Sequence, residues 1–236
     1  MLKVNEIFGP TIQGEGKSLG KKVVFLRLAL CNLHCVWCDT AYTWRYDAKH
    51  PHNDDVVYSP KKEVHLMSEQ EVFIRLVAMG VKSLVISGGE PTLQQKQLIP
   101  LLQNLKGDGW WIEVETNGTV PLRSEFVSLV DQINCSPKLA NSGDPEELRI
   151  REKTLQSLVK NKKTNFKFVI STDKDAVEAK TLVTKFGMEE VFFMPEGRTR
   201  EELTLRQNFV QALAGECGTH YTPRQHIIQW GTKRGV

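Results

Sequence analysis

From residue 82 to residue 214 the chain alternates short runs rich in branched and aromatic residues with amphipathic runs of helical period. The extended runs are 82–87 (KSLVIS), 110–115 (WWIEVE), 131–135, 166–171 (FKFVIS) and 190–194. The helical runs are 95–105, 122–130, 146–160, 174–186 and 200–214. A strand followed by a helix that returns to the next strand is a βαβ unit, and that crossover forces parallel pairing. A buried strand at 23–30 (VVFLRLAL) precedes the series. Between them Ser68-Glu-Gln-Glu71 is a capping box, opening a helix that stops at Gly80. A closed eight-unit barrel takes about 250 residues. With 236 residues, the expected fold is α/β, a shortened or partial (β/α)6-type barrel of parallel strands in one domain over 1–236. Residues 45–66 break the alternation and read as a polar insertion. The tail at about 218–236 carries one more extended segment around Gln225–Trp230.

A 40% hydrophobic, 25% charged chain of this length buries a substantial core, which excludes a disordered chain or a coiled coil. Thirty-one basic residues against 28 acidic leave +3, too balanced to argue for a nucleic-acid partner. No apolar stretch approaches the roughly 20 residues of a membrane span, and Met1-Leu-Lys-Val-Asn-Glu lacks the apolar region of a secretory signal. The expected compartment is the cytoplasm, where disulfides are disfavoured.

The motifs fall after the strands. Those are the C-terminal edges at which parallel α/β folds place their sites. After the first strand comes Cys31-Asn-Leu-His-Cys35-Val-Trp-Cys38, a C-x₃-C-x₂-C pattern holding three of the five cysteines. Three thiolates can each hold one iron of a cubane and leave a fourth iron open, where all-protein ligation uses four cysteines. A zinc knuckle completed by His34, or three ordinary buried thiols, are the other readings of the spacing. Gly88-Gly89-Glu90-Pro91 follows the next strand, Glu115-Thr-Asn-Gly118 the third and Ser136-Pro-Lys138 the fourth. Met194-Pro-Glu196 follows the last.

The cysteine pattern after a first buried strand, with Gly-Gly-Glu after the second, resembles the radical S-adenosylmethionine superfamily. Within it the chain resembles the 7-carboxy-7-deazaguanine synthase family. The resemblance is carried by Phe8-Gly-Pro-Thr-Ile-Gln-Gly-Glu-Gly16, Phe25-Leu-Arg27, Cys31 to Thr40, Ser87 to Pro91, Glu115 to Gly118, Ser136 to Lys138 and Trp230 to Val236, and fails only over 45–66. It implies a [4Fe–4S] cluster on Cys31, Cys35 and Cys38, S-adenosylmethionine chelated to the fourth iron, and Mg²⁺ on Thr40. It also implies cofactor contacts at Trp37, Cys38, Asp39, Gly89, Glu115, Ser136, Pro137, Lys138, Met194, Pro195 and Glu196. Pterin contacts are implied at Ile12, Gln13, Gly14, Glu15, Arg27, Ser87, His226 and Val236. The implied reaction is radical ring contraction of 6-carboxy-5,6,7,8-tetrahydropterin to 7-carboxy-7-deazaguanine with loss of ammonia, the cofactor being regenerated. The enzyme would be a homodimer reduced by a flavodoxin or ferredoxin. An activase of a glycyl-radical enzyme and a non-enzymatic zinc-binding protein are the rivals.

The residues allow bland readings beside these. Period-two alternation puts Arg27 on the face of Val23 and Phe25 that leads to Cys31. Buried there, it needs a carboxylate, from the substrate or from an internal Asp or Glu. Thr40 is a Mg²⁺ ligand or an N-cap. Glu113 and Glu115 share a strand face, and two buried carboxylates need a cation, either the cofactor's or that of Lys138 or Arg27. Glu90 could cap the helix that follows it. His226 is a substrate contact or a satisfied core histidine. His50, His52 and His65 read as solvated, Cys135 and Cys217 as structural.

Overall fold

The computed structural model describes residues 1–236. Nine strands form one sheet: β1 (Leu2–Ile12), β2 (Lys22–Leu28), β3 (His65–Met67), β4 (Ser83–Gly88), β5 (Trp111–Thr116), β6 (Gln132–Cys135), β7 (Thr164–Ile170), β8 (Val191–Pro195) and β9 (His220–Tyr221). Their order is β3-β1-β2-β4-β5-β6-β7-β8-β9. From β2 to β9 every neighbouring pair is parallel, and the ends of the sheet do not meet, so the barrel is partial as expected. The parallel run holds seven strands rather than six, because the two-residue β9 pairs with β8 through His220 and Tyr221.

Besides β9, two further strands were not expected. β1 pairs antiparallel with β2, with register shifts between Val4 and Glu6 and between Phe8 and Thr11. β3 pairs antiparallel with Leu2–Val4 only. Pro10 donates no ladder hydrogen bond, and it is tolerated because it sits at an irregularity beyond the stretch that β3 covers. The 146–160 run is two helices, Glu146–Arg149 and Glu152–Val159. The segment Gln225–Trp230 is a helix, not a strand. Its first amide, Gln225 N, donates to the Gly14 carbonyl at 2.8 Å, and the Ile227 and Ile228 amides turn back to Arg224 O. Those bonds take the donors a ladder would need.

The helices cover the outer face of the sheet. Leu26, Ile86, Ile112, Ile133, Phe168 and Phe193, one from each of six successive strands, meet Val72, Leu76, Leu98, Leu102, Phe126 and Leu155 from the helices in one continuous core. The opposite strand parity faces inward, and there the polar residues collect. The helix Glu69–Val77 begins as the capping box predicts: the Glu71 amide donates to Ser68 Oγ at 3.2 Å and the Ser68 amide to Glu71 Oε2 at 2.7 Å. Ser68→Ala is expected to cost about 1 kcal/mol, read as a lower urea midpoint at unchanged slope. No helix is long and apolar enough to cross a membrane.

Candidate active site

The C-terminal ends of the parallel strands, the Gln13–Glu15 loop and the C-terminal tail surround a cavity of about 530 Å³, within the usual size of a small-molecule site. Cys31, Cys35 and Cys38 all line it. All five cysteines are unpaired. Burial pushes the Cys31 thiol up to about 12 and raises Cys35 and Cys38 as well. Bare thiols here stay protonated, and a ligated metal is what would deprotonate them. The Leu33 amide donates to Cys31 Sγ at 3.5 Å, Cys35 Sγ–H to Asp144 Oδ2 at 3.4 Å, and the Trp44 indole N–H to Cys38 Sγ at 3.4 Å. The His34 ring does not line this cavity. It stacks on His50 with centroids 3.6 Å apart, so it is not placed as a fourth ligand of a zinc knuckle. No group of three or more His, Cys, Asp or Glu side chains converges on a single metal ion. The donor set that remains is three soft thiols on one wall, which suits an iron–sulfur cluster with one iron open.

The loop after β4 is built against the cysteine loop. A Cβ on Gly88 would fall 2.1 Å from the Leu28 carbonyl oxygen, and one on Gly89 2.1 Å from that of Leu30. The paired glycines are therefore required by the backbone of the chain itself. Glu90 is fully buried and joins two loops. It accepts from the Thr92 amide at 3.0 Å and hydroxyl at 2.5 Å, the Thr116 hydroxyl at 2.9 Å and the Asn117 amide at 2.6 Å. Capping is thus part of its work. Asn117 Nδ2 continues to Asn32 Oδ1 at 3.0 Å, which ties the loop after β5 to the cysteines.

The floor of the cavity is a buried ion network that the sequence only half revealed. Glu115 and Glu15 share Lys167, at 3.1 Å from Glu115 Oε2 and in direct contact with Glu15. The cation expected near Glu115 is therefore Lys167 of β7, neither Lys138 nor Arg27. Burial alone would raise the Glu15 carboxyl, but Lys167, then Arg224 and His226, outweigh it and hold it at about 2. Gln13 Nε2 donates to Glu113 at 2.8 Å and to Glu115 at 3.2 Å, and Asn134 Nδ2 bonds the same pair. Arg224, also unforeseen, pairs with Asp39 and donates to the Gly197 carbonyl at 2.6 Å. His226 Nδ1 lies 3.8 Å from Glu15 Oε1, and burial lowers the affinity of its ring for a proton.

Arg27 lines the cavity beside Phe8 and Tyr42. Its Nε donates to Glu6 Oε1 at 2.7 Å, the internal carboxylate of the bland reading. Its two Nη groups bond no protein atom. Lys138 is the one cavity cation, apart from exposed Lys233, with no carboxylate partner. It donates to the Ser136 carbonyl at 2.9 Å and hydroxyl at 3.0 Å and lies 5.9 Å from the Trp37 ring centroid. Trp37 Nε1 is buried without a partner. Thr40 makes no side-chain cap to the turn it precedes, so its hydroxyl remains available on the cavity wall, 3.5 Å from Cys38 Sγ.

Ile12, Gly14, Asp39, Ser87, Gly89, Ser136, Met194 and Val236 also line the cavity, whereas Pro137, Pro195 and Glu196 do not. Pro137 is buried, and Glu196 turns away to pair with Arg206 at 3.2 Å. The 45–66 segment is less polar in space than in sequence. Arg45 and His52 are buried, because Arg45 donates to the Val56 carbonyl at 2.6 Å and His52 finds partners on both ring nitrogens. His50 and His65 are exposed as expected. The tail is held by Arg234, which bonds Glu63 Oε2 at 2.8 Å and sits 3.7 Å over the Tyr42 ring.

A partial parallel barrel with three thiols after its first parallel strand and a Gly-Gly-Glu turn after its second defines a radical S-adenosylmethionine enzyme. Residues 28–180 match the Radical SAM superfamily. Relatives similar over nearly the whole chain include the 7-carboxy-7-deazaguanine synthases of Pyrobaculum aerophilum and Bacillus subtilis. The first is 34% identical over 99% of this chain and 97% of its own length, the second 32% over 100% and 98%. The structure of QueE from Escherichia coli has the same fold, with TM-score 0.69 and 22% identity over 95% of this chain and 94% of that one. The Streptococcus suis SuiB structure bound to S-adenosylmethionine is more distant, with TM-score 0.55 and 14% identity over 84% of this chain and 51% of that one. The chain belongs to the 7-carboxy-7-deazaguanine synthase family of the radical SAM superfamily.

Proposed function

We infer that this cavity performs the reaction of its family, converting 6-carboxy-5,6,7,8-tetrahydropterin to 7-carboxy-7-deazaguanine with release of ammonia. The observation that carries this reading is two cations with free N–H groups in the cavity whose wall bears the three thiols: the Nη pair of Arg27 and the ammonium of Lys138. The reaction brings two carboxylates, one on the pterin and one on the methionine of the cofactor. The forked guanidinium suits bidentate binding of the first, and the Lys138 ammonium, beside Trp37, suits the second.

Cys31, Cys35 and Cys38 hold the [4Fe–4S] cluster. Bound there, the cluster and S-adenosylmethionine would supply the radical chemistry that activates the substrate. The chain positions and shields. Trp37 offers its orphan indole N–H and its ring to the adenosyl side, with Asp39, Gly89, Ser136 and Met194 around it. Ile12, Gln13, Gly14, Ser87, His226 and Val236 frame the pterin, and the tail held by Arg234 excludes water from a reactive site. Glu15 presents a carboxylate fixed by Lys167 to the amino groups of the pterin, and Glu115, fixed by the same lysine, presents one to the cofactor's cationic groups. Thr40 gives one hard oxygen to Mg²⁺, which commonly takes its remaining ligands from substrate and water. The working unit is a homodimer in a reducing cytoplasm, in keeping with five unpaired thiols, and a flavodoxin or ferredoxin supplies its electrons.

The test is anaerobic incubation of the reconstituted protein with the carboxypterin, S-adenosylmethionine, Mg²⁺ and a reductant. The deazaguanine should form without stoichiometric accumulation of 5′-deoxyadenosine. A cluster-loaded protein that cleaves the cofactor but leaves the pterin unchanged would refute the substrate assignment.

A further inference from the structure

The segment after the cysteine loop closes around a single ligand. The Trp44 indole N–H points at Cys38 Sγ, 3.4 Å away. The His52 side chain is wholly buried, with Nε2 2.9 Å from the Cys38 carbonyl oxygen and Nδ1 2.6 Å from Asp54 Oδ1. Both ring nitrogens are thus engaged, Nε2 by the cysteine loop and Nδ1 by Asp54, whose backbone amide also lies 3.4 Å from Nδ1. Asp54 is gripped in turn by Arg198 at 2.5 Å. The Asn53 amide donates to the Val36 carbonyl at 2.9 Å, a second tie to the cysteine loop. The Trp44 and His52 rings meet edge to face with centroids 6.1 Å apart. Neither of the other two cysteines is held like this. Cys31 Sγ accepts only a backbone amide, and Cys35 donates to a carboxylate.

Burying a histidine and an indole N–H beside a surface loop is costly unless each is satisfied, and both are satisfied on the same cysteine. Groups that hold a ligand residue from behind fix its orientation, and N–H donors to a cluster sulfur stabilise the more negative, reduced state. We propose that Trp44 and His52 form an outer layer around Cys38, Trp44 setting the reduction potential of the cluster and His52 the firmness with which it is held. This gives the polar 45–66 insertion a task, positioning an iron ligand. It rests on the cluster assignment above.

The test compares the reconstituted parent with Trp44→Phe, His52→Leu and His52→Gln. The readouts are iron content, the rate of iron release to a chelator, and a reductive titration followed by electron paramagnetic resonance, with far-UV circular dichroism to establish folding. Trp44→Phe should load iron like the parent but reduce only at a more negative potential. His52→Leu should release iron about tenfold faster, and His52→Gln, whose amide N–H reaches the same carbonyl, should return to within about twofold of the parent. If His52→Leu does not fold, Asp54→Ala, which removes the side-chain partner of His52 Nδ1 and so loosens the ring, takes its place with the same expectation. Parent-like potential in Trp44→Phe overturns the role of Trp44. Parent-like iron release in His52→Leu or its substitute, or no rescue by glutamine, overturns that of His52. A parent chain that takes up no iron overturns the cluster assignment first, and this proposal with it.

Discussion

Lys167→Met is expected to cost about 3–5 kcal/mol of folding stability near neutral pH, the usual penalty for removing one side of a buried ion pair. Methionine keeps the length and the apolar stem of lysine, so the loss isolates the charge rather than a cavity. What remains is Glu15 and Glu115, both largely shielded from water, with their shared cation gone. The other donors to Glu115, Gln13 and Asn134, are neutral and divided between it and Glu113, and Glu15 keeps only the weaker influence of Arg224 and His226. The sign of the pH dependence follows from Glu15. Its folded-state affinity for a proton is depressed, to about 2 against an ordinary 4.5. The stability it contributes is therefore present above pH 4.5 and is lost as pH falls toward 2. The gap between parent and variant should be full at pH 7.5 and narrower at pH 4. Urea titrations at the two pH values measure it. Equal midpoints at pH 7.5 would mean that the network is not stabilising.

The same network shows where reading the sequence stops. The alternation of apolar runs located β2 and β4 to β8 and their parallel order, because strands buried on both faces are written as continuous branched runs. The motifs that end them then fell on one edge, and Cys31, Cys35, Cys38, Thr40, Arg27 and Lys138 all line one cavity. Lys167 was missed, although a lysine inside the apolar run FKFVIS is itself a signal: it must be paired if buried. Which residue pairs with it depends on the sheet order, which places Glu115 of β5 two strands from β7. Arg224 and His52 were missed for a related reason. Their partners, Asp39 and Cys38, are 185 and 14 residues away, and loop segments carry no period from which to infer a face. β1 was missed because its sequence contains Asn5, Gly9 and Pro10 and buries its residues irregularly, so no alternation survives.

Glu113→Gln should remove a pH dependence from folding rather than weaken it uniformly. Glu113 is completely buried. Its Oε1 accepts from Gln13 and Asn134, while its Oε2 has no partner. Burial, and then the charge of Glu115 on the same strand face, raise its carboxyl to about 7. Between pH 4.5 and 7 the folded chain holds a proton on Glu113 that the unfolded chain has released. Folding stability therefore falls as pH rises through that window and levels above it, by on the order of 2–3 kcal/mol. Glutamine is the same shape and neutral at every pH, and its carbonyl oxygen accepts the same two amide donors. The variant should be at least as stable as the parent at pH 8, and its stability should lack this component of the slope between pH 5 and 7. Lys167→Met changes stability in the opposite sense, so the two substitutions divide the network into a carboxyl that is held neutral and a pair that is held charged. Urea titrations of parent and Glu113→Gln across pH 5 to 8 decide the matter. Parallel curves across that range would show that Glu113 is ionised throughout, and that Gln13, Asn134 and Lys167 together suffice to hold two adjacent carboxylates in the floor of the site.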